Sequence, residues 1–191
     1  MVFGNLDSAF DRQQLANIEH VVGPPTAENQ PGEHGPWWLR GSLRGRPVWL
    51  GLLTRGTIRG IDFAASLAGR PIHLSIRDRR RTTILGVPEV RTGDPRFDEE
   101  FLVSGWPAEV IAAALDADVR GWLLATCAGK DPQVSTRENR VQLFRSLATF
   151  SAGLGVPPEA AMPPAEIGHW LDVVGRLADS LVAAFDRSYA A

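Results

Sequence analysis

Apolar residues recur at helical spacing near both ends of the chain. Between Leu6 and Val22 they recur at roughly helical spacing with polar residues between them, which predicts a helix over residues 6–22. Gly23 and the two prolines that follow it end this helix. The longest stripe begins at Pro164, and its regular spacing predicts an amphipathic helix over residues 164–187.

Short aromatic and aliphatic runs fill residues 37–105 and are typical of β-strands. The runs Trp37–Leu43 and Pro47–Leu53 flank Arg44, Gly45 and Arg46, which predicts a hairpin. Between residues 72 and 76, apolar positions alternate with His73 and Ser75, as in a half-buried strand. Further strands are predicted at residues 57–63, 82–85 and 101–104, with residues 77–81 as a turn.

The pattern returns to helical spacing after Pro107. Two short helices are predicted within residues 107–126, with Asp118 as the N-cap of the second. Residues 133–144 are predicted to form a hairpin late in the chain. Residues 23–36 are predicted to form a polar loop rich in proline and glycine.

This order of elements predicts an α+β fold. We expect an antiparallel sheet flanked by an N-terminal helix, two short central helices and a long C-terminal helix. The length of 191 residues and the lack of repeats or linkers predict a single domain over residues 1–191.

Composition narrows the class of protein. With 44% hydrophobic and 22% charged residues, the chain is typical of folded globular proteins. Cys127 is the only cysteine, which excludes an internal disulfide and multi-cysteine metal sites. No apolar run approaches the ~20 residues of a membrane-spanning helix, and the first ten residues lack the basic start of a signal peptide. We therefore expect a soluble, cytoplasmic protein.

The charges are unevenly distributed. Residues 37–91 contain eleven arginines against three acidic residues, whereas the segments on both sides are acidic, although the net charge is only −2. Lys130 is the only lysine among the 20 basic residues, which indicates a GC-rich bacterial genome. Genome composition explains the choice of arginine over lysine but not its clustering, so the middle segment is predicted to bind an anionic partner.

A tryptophan pair lies at the start of this basic segment. Because Trp37 and Trp38 are adjacent in a predicted strand, they point to opposite faces, and one of them is a candidate for exposure. Tryptophan and arginine together are typical of protein-recognition sites. A pI of 6.1 and the lack of a nucleic-acid-binding motif make nucleic acid an unfavoured partner. The predicted partner-binding residues are Trp37, Trp38, Arg44, Arg46, Arg77, Arg79, Arg80 and Arg81.

The acidic segment that follows has two interpretations. Asp94, Asp98, Glu99 and Glu100 offer oxygen ligands for Mg²⁺ or Ca²⁺, but their spacing fits no EF-hand loop. The alternative is a structural turn in which Asp94 bonds to the backbone and neighbouring phenylalanines enter the core.

The same segment resembles part of a family of uncharacterised bacterial domains of unknown function. The similarity lies in the pattern Thr-Gly-Asp-x-x-Phe-Asp-x-x-Phe-x-Val, here Thr92 to Val103, and in an upstream Gly-x-x-Arg-Gly-Arg-x-Val, here Gly41 to Val48. The resemblance covers roughly residues 37–185 and implies one α+β domain. Its members are often tethered behind transmembrane helices, a role not expected for this chain, and it implies no catalytic residues.

No sequence motif of a catalytic site is present, including HExxH, Gly-x-Ser-x-Gly, Gly-x-Gly-x-x-Gly and the Walker loop. We therefore expect a non-catalytic interaction module of a bacterial multi-protein assembly that binds an acidic protein partner and no cofactor. Two alternatives remain: a carrier with an apolar cavity between the sheet and the C-terminal helix, and a metal-dependent hydrolase that uses Asp94, Asp98, Glu99 and Glu100.

Overall fold

Antiparallel strand pairing organises the chain. The structure, a computed structural model, describes residues 9–23, 37–43, 45–55, 58–82, 88–128, 133–149 and 161–190, without the side chains of 9–11, 37, 38, 43, 52–55, 58, 59 and 147–149. The helices are α1 Ala9–Val22, α2 Pro95–Glu100, α3 Ala108–Ala114, α4 Ala117–Cys127 and α5 Pro164–Tyr189. The strands are β1 Trp37–Leu43, β2 Arg46–Arg55, β3 Ile58–Ser66, β4 His73–Asp78, β5 Phe101–Trp106, β6 Gln133–Arg137 and β7 Arg140–Thr149.

The predicted α+β class is confirmed. The seven strands form one antiparallel sheet in the order β1-β2-β3-β7-β6-β4-β5, with helices at both ends of the sequence. The described residues also divide into two compact units. Unit 1 comprises Met1–Ala64 with Phe144–Asp172, and unit 2 comprises Ala65–Leu143 with Val173–Ala191.

Unit 1 is built on the predicted hairpin of β1 and β2. Helix α1 lies so close to β1 that a Cβ atom on Gly41 would be 2.7 Å from Cβ of Val22. The same helix holds the segment before α5, because Oε1 of Gln14 accepts a hydrogen bond from the Met162 backbone N–H at 2.7 Å. The Asn17 amide donates to the Met162 carbonyl at 3.0 Å.

Unit 2 is built on the pairing of β4 with β5, which runs from His73 opposite Trp106 to Asp78 opposite Phe101. Burial alternates along β4. Leu74 and Ile76 are buried in the core, whereas the positions between them are half-buried or exposed. Helices α2 and α3 both contact β5. This alternation confirms the half-buried strand expected from the sequence.

Close backbone approach at Gly105 sets the spacing of these two strands. Gly105 has φ of +149°, a conformation that side chains rarely adopt, and a Cβ atom there would lie 1.9 Å from the carbonyl oxygen of His73. Glycine is therefore required at this position for β5 to reach β4.

The late hairpin is confirmed, with a two-residue turn between β6 and β7. Glu138 and Asn139 have φ of +51° and +58°, the pattern of a type I′ turn. The Asn139 carbonyl accepts a hydrogen bond from the Leu67 backbone N–H at 2.8 Å, which ties the turn to the end of β3.

The long C-terminal helix is anchored at its far end in unit 2. Arg70 donates to both carboxylate oxygens of Asp186, with Nε–Oδ1 and Nη2–Oδ2 distances of 3.0 and 2.9 Å. The Tyr189 hydroxyl donates to Glu109 of α3 at 3.2 Å. These contacts hold the last turns of α5, which continue to Tyr189, two residues beyond the predicted end.

Several predicted boundaries need correction. The N-cap of α4 is Asp116 and not Asp118, because Oδ1 of Asp116 accepts the Val119 backbone N–H at 2.9 Å. Arg77 and Asp78 belong to β4, and the turn after it is the 3-10 segment Arg79–Arg81. The described part of α1 begins at Ala9, and residues 6–8, 24–36 and 83–87 lie outside the described ranges.

Replacing Gly105 with alanine is expected to destabilise unit 2. The new Cβ meets the His73 carbonyl, so we expect a loss of at least about 2 kcal/mol in the free energy of unfolding. Urea denaturation measures this change.

The matched control is Gly121→Ala in α4, where a Cβ has no neighbour within 4 Å. Alanine is the better helix former, so this variant is expected to gain about 0.5–1 kcal/mol. Equal effects at the two glycines would contradict the described approach of β5 to β4.

Candidate interaction surface

The three consecutive arginines after β4 do not have the same role. Arg79 is held within the chain: its guanidinium donates to the carbonyls of Asp98 at 2.6 Å and Phe101 at 3.3 Å, and it also pairs with Glu89. Since these carbonyls lie at the junction of α2 and β5, Arg79 fastens that junction to the end of β4. It is therefore a structural residue, although the sequence placed it among the partner-binding arginines.

Arg80 and Arg81 project from the same 3-10 turn. Their side chains are 77% and 65% exposed, and they pair with Glu100 at 3.3 Å and with Asp78 at 3.7 Å. Asp78 also accepts the Arg80 backbone N–H at 2.8 Å, which fixes the turn while leaving both guanidinium groups at the surface. The carboxylates of these pairs are largely buried, with 16% of the Glu100 side chain and 9% of the Asp78 side chain exposed.

For three of the other predicted partner-binding residues, Trp37, Trp38 and Arg44, the side chains lie outside the described part of the structure. In the β1–β2 register, Trp37 lies opposite Leu52 and Trp38 opposite Gly51, and both tryptophan side chains are outside the description. Arg44 also lies outside the described residues. Arg46 begins β2 and is half-buried.

A tryptophan of unit 2 is exposed instead. Trp106, at the end of β5, is 58% exposed, and it is one of two large hydrophobic residues that are exposed in the described part of the chain. It lies opposite His73 in the β4–β5 register. On β6, Arg137 has the same parity as Ser135, which lies opposite Ser75 of β4.

Polar and basic residues continue this surface along β4. Ser75 and Arg77 share the strand face of His73, and Arg77 Nε donates to the Ser75 hydroxyl at 3.4 Å. The Arg137 side chain is 76% exposed, with Glu138 at 3.5 Å. We call this surface the Trp106 face; its residues are His73, Ser75, Arg77, Trp106 and Arg137.

Sequence reasoning did not select Trp106. On β5, Trp106 has the same parity as Leu102 and Ser104, and both of these are buried, as are Phe101 and Val103 with the other parity. Alternation along this strand therefore gives no signal that its last residue is exposed.

The acidic segment forms a structural turn. Oδ1 of Asp94 accepts the backbone N–H groups of Arg96 and Phe97 at 3.1 and 3.2 Å and so caps α2. The buried Asp98 accepts the backbone N–H and hydroxyl of Thr92 at 3.1 and 2.8 Å, and the Gly93 backbone N–H at 3.2 Å. Phe97 and Phe101 are buried with ring centroids 5.0 Å apart, as the turn interpretation expects.

These contacts also determine the electrostatics of the turn. The backbone hydrogen bond from Phe97 is the largest cause that lowers the pKa of Asp94, and Arg120 of α4 contributes at 3.3 Å. Among the described residues, no three His, Cys, Asp or Glu side chains are grouped so that they could hold a metal ion. Of the four carboxylates in the hydrolase alternative, Asp94 and Asp98 accept the hydrogen bonds of the turn, and Glu100 pairs with Arg80.

The apolar-carrier alternative requires a void between sheet and C-terminal helix. In unit 1, Trp170 of α5 stacks on Phe63 of β3 with a centroid distance of 6.4 Å, and both rings are buried. Arg145 covers the indole of Trp170 at 5.9 Å. These contacts place side chains between β3 and α5 in unit 1, and the carrier alternative stays a prediction.

Within the described ranges, no helix is both long and apolar enough to cross a bilayer. The predicted cytoplasmic location stays a prediction.

Comparison with known proteins shows a likeness of fold. No protein-family model matches the chain, and no curated protein sequence matches it. Among solved structures, it is similar to the crystal structure of the mycobacterial trehalose monomycolate transport factor A, TtfA, with a TM-score of 0.54 and 12% sequence identity. The similar region covers 78% of this chain and 74% of that chain. At this identity the likeness concerns the fold alone, and the resemblance of Thr92–Val103 to a bacterial domain family stays a prediction.

Replacing Asp98 with alanine is expected to destabilise the turn. Three donors of Thr92 and Gly93 lose their acceptor in a buried site, so we expect a loss of about 3 kcal/mol in the free energy of unfolding. The control, Glu99→Ala, changes the exposed neighbour on α2 and should stay within about 0.5 kcal/mol. Urea denaturation compares the two variants. The turn interpretation would be contradicted if Asp98→Ala is as stable as the native protein and if Mg²⁺ or Ca²⁺ raises the melting temperature of the native protein. These two results together would support an ion site.

Replacing Asp94 with asparagine is expected to change how the free energy of unfolding depends on pH in the acidic range. Because the folded-state pKa of Asp94 is lowered, its charge stabilises the protein above the unfolded-state pKa of about 4, and this contribution disappears as pH falls through the folded-state value. The difference in unfolding free energy between the native chain and Asp94→Asn should therefore be larger at pH 6 than at pH 3. Urea denaturation at the two pH values tests this, and an unchanged difference would contradict the assigned pKa shift.

Proposed function

We propose that this protein is a non-catalytic interaction module of a multi-protein assembly, and that it binds an acidic protein partner through the Trp106 face. The observation that carries the proposal is the 58% exposure of Trp106 at the end of a strand pair whose face also carries arginine residues. Trp and Arg are the residues most enriched among those that dominate binding energy at protein interfaces.

Trp106 supplies the apolar part of this surface. Indole side chains bury 150–250 Å² when covered, so covering the exposed part of Trp106 is worth about 2–3 kcal/mol. The side chain is held by a paired strand rather than by a loop, so little conformational entropy is lost when a partner covers it.

Basic side chains supply the electrostatic part. Arg77 and Arg137 lie on the Trp106 face, and Arg80 and Arg81 follow the end of β4 with largely exposed guanidinium groups. The ion pair of Arg137 with Glu138 is a surface contact, which a partner carboxylate can replace at small cost. An acidic surface would therefore be attracted and oriented by this region.

The dimensions suit a single partner. The two ends of the β4–β5 pair are five residues apart in register, a distance of about 17 Å. A standard interface covers about 800 Å² on each partner, or about 30 Å across. One interface of this size can cover Trp106 at one end and the exposed arginines at the other.

The likeness to TtfA supports a non-catalytic function in a limited way. That protein is named as a transport factor, so this fold occurs in a protein that is not named for an enzymatic reaction.

Site-specific photocrosslinking tests the proposal. A photoreactive phenylalanine in place of Trp106, in cells that naturally produce the protein, is expected to give one discrete crosslinked protein whose crosslinked peptide is acidic. Adding Arg77→Glu and Arg137→Glu should lower the crosslink yield at least about tenfold, because two favourable charge contacts become repulsive.

The matched control places the same photoreactive residue at Tyr189, an aromatic position of similar exposure (51%) on α5. A yield at position 106 no higher than at 189, or a crosslinked peptide that is neutral or basic, would contradict the proposal. Both variants should keep the native melting temperature within about 2 °C, since neither side chain is in the core.

A further inference from the structure

Arg77 is a half-buried cation on the Trp106 face, and it forms no ion pair with a carboxylate of the described residues. Its Nε donates to the Ser75 hydroxyl at 3.4 Å, which is a long hydrogen bond. A guanidinium group carries five N–H donors, so Arg77 keeps further donors for another acceptor. Because a cation that is partly removed from water is stabilised by a paired anion, this position favours an anionic ligand.

Two acidic residues that lie close to Arg77 along the strands are engaged elsewhere. Asp78 follows it in the chain but lies on the opposite, buried side of β4. Glu89 bridges to β5, and its carboxylate pairs with both Arg79 and Arg91. Neither carboxylate neutralises Arg77, so the positive charge of this strand face is open to a ligand.

Two hydroxyl groups lie beside this guanidinium. Ser75 is directly opposite Ser135 in the β4–β6 register, and both are half-buried. Cβ atoms of directly opposite residues are about 5 Å apart, so the two hydroxyls flank one point of the surface. Arg137 has the parity of Ser135 and adds a second guanidinium, which is 76% exposed and pairs at the surface with Glu138. We call Ser75, Arg77, Ser135 and Arg137 the donor patch.

The number of donors indicates which anion fits this patch. A carboxylate has two oxygens and one negative charge, and the fork of a single arginine satisfies both oxygens. A phosphorylated serine or threonine carries three acceptor oxygens and a charge of about −1.5 to −2 at pH 7. Two arginines with two hydroxyls match this higher charge and this larger number of acceptors. The donor patch is therefore better matched to a phosphoryl group than to a carboxylate.

Trp106 lies at a defined distance from the donor patch. Ser75 is opposite Ser104 of β5, and Trp106 is two residues farther along that strand. Such a diagonal across two antiparallel strands spans about 7–8 Å. In an extended peptide, residues two positions apart are separated by about 7 Å and point to the same side. A segment with its phosphoryl group at Ser75 can therefore place a residue two positions away against the indole.

We propose that the donor patch binds a phosphorylated serine or threonine of the partner protein, with an apolar residue two positions away against Trp106. This inference rests on the proposed function, because it specifies the acidic group by which the partner is recognised. It also assigns different roles to the two parts of the surface. The donor patch binds the phosphoryl group, and Trp106 contacts the apolar neighbour.

Binding of peptide libraries to the full chain tests this inference. The probe is a set of short, labelled peptides with a central phosphoserine and randomised flanks; two matched sets carry glutamate or serine at the centre. We expect the phosphoserine set to bind at least about tenfold tighter than the glutamate set, and the serine set not to bind. The bound phosphoserine peptides should be enriched in apolar residues two positions from the centre.

Variants of the donor patch locate the site. Arg77→Lys keeps the positive charge but loses the planar fork, so it should weaken binding of the phosphoserine peptides at least about fivefold. Ser75→Ala combined with Ser135→Ala should have a similar effect, because two hydroxyl donors are removed. Arg137→Gln changes a largely exposed side chain and should weaken binding about threefold without affecting the fold. The control, Arg96→Lys, alters an exposed arginine of α2 and should leave the affinity unchanged.

Three results would overturn the inference. The first is equal binding of the phosphoserine and glutamate sets, and the second is an equal effect of Arg77→Lys and Arg96→Lys. The third is competition by inorganic phosphate that is as effective as competition by the selected peptides, since this would assign the donor patch to free phosphate.

Failure of this inference is distinguishable from failure of the proposed function. The photoreactive residue at position 106 can capture a partner whose crosslinked peptide is acidic through Asp and Glu alone and carries no phosphoryl group. In that case the proposed function stands and the phosphoryl inference is wrong. A lack of any crosslinked partner at position 106 would contradict the proposed function itself, whatever the peptide libraries show.

Discussion

The antiparallel pairing of β4 with β5 is the interaction on which the candidate surfaces of unit 2 depend. It forces glycine at position 105, where the backbones approach most closely, and it places the next residue, Trp106, at the end of the strand beside His73. At its other end, the pairing brings the start of β5 within reach of Arg79, which holds the α2–β5 junction through backbone carbonyls. A shift of one residue in this register would turn Trp106 towards the core.

The alternation along β4 separates two kinds of surface. Leu74 and Ile76 point into a core, so their burial stabilises the fold, whereas Ser75 and Arg77 remain at a polar face that contributes little to stability. Trp106, at the end of the neighbouring strand, is 58% exposed. Under the proposed function this exposure serves recognition of another molecule, and the arginines of the Trp106 face favour an acidic one.

Local patterns predicted the local parts of this structure. Period-two alternation, turn residues and the long apolar stripe identified β4, the late hairpin and α5, because each of these signals lies within one segment. The roles of individual arginines did not follow from sequence, since Arg79 and Arg80 are neighbours with the same chemistry and differ only through contacts with residues about 20 positions away. Asp118 was a reasonable N-cap by residue type, and the hydrogen bond of Asp116 decided the true helix start.

The central claim is that Trp106 is exposed in the isolated protein and covered in its assembly. Hydroxyl-radical footprinting with mass spectrometry measures this directly, and Tyr189 provides an internal reference of similar exposure. We expect Trp106 to be oxidised in the isolated chain and at least about fivefold protected in the assembly purified through this chain, while Tyr189 is oxidised equally in both. Trp106 that is unreactive in the isolated protein, or as reactive in the assembly as outside it, would contradict the account.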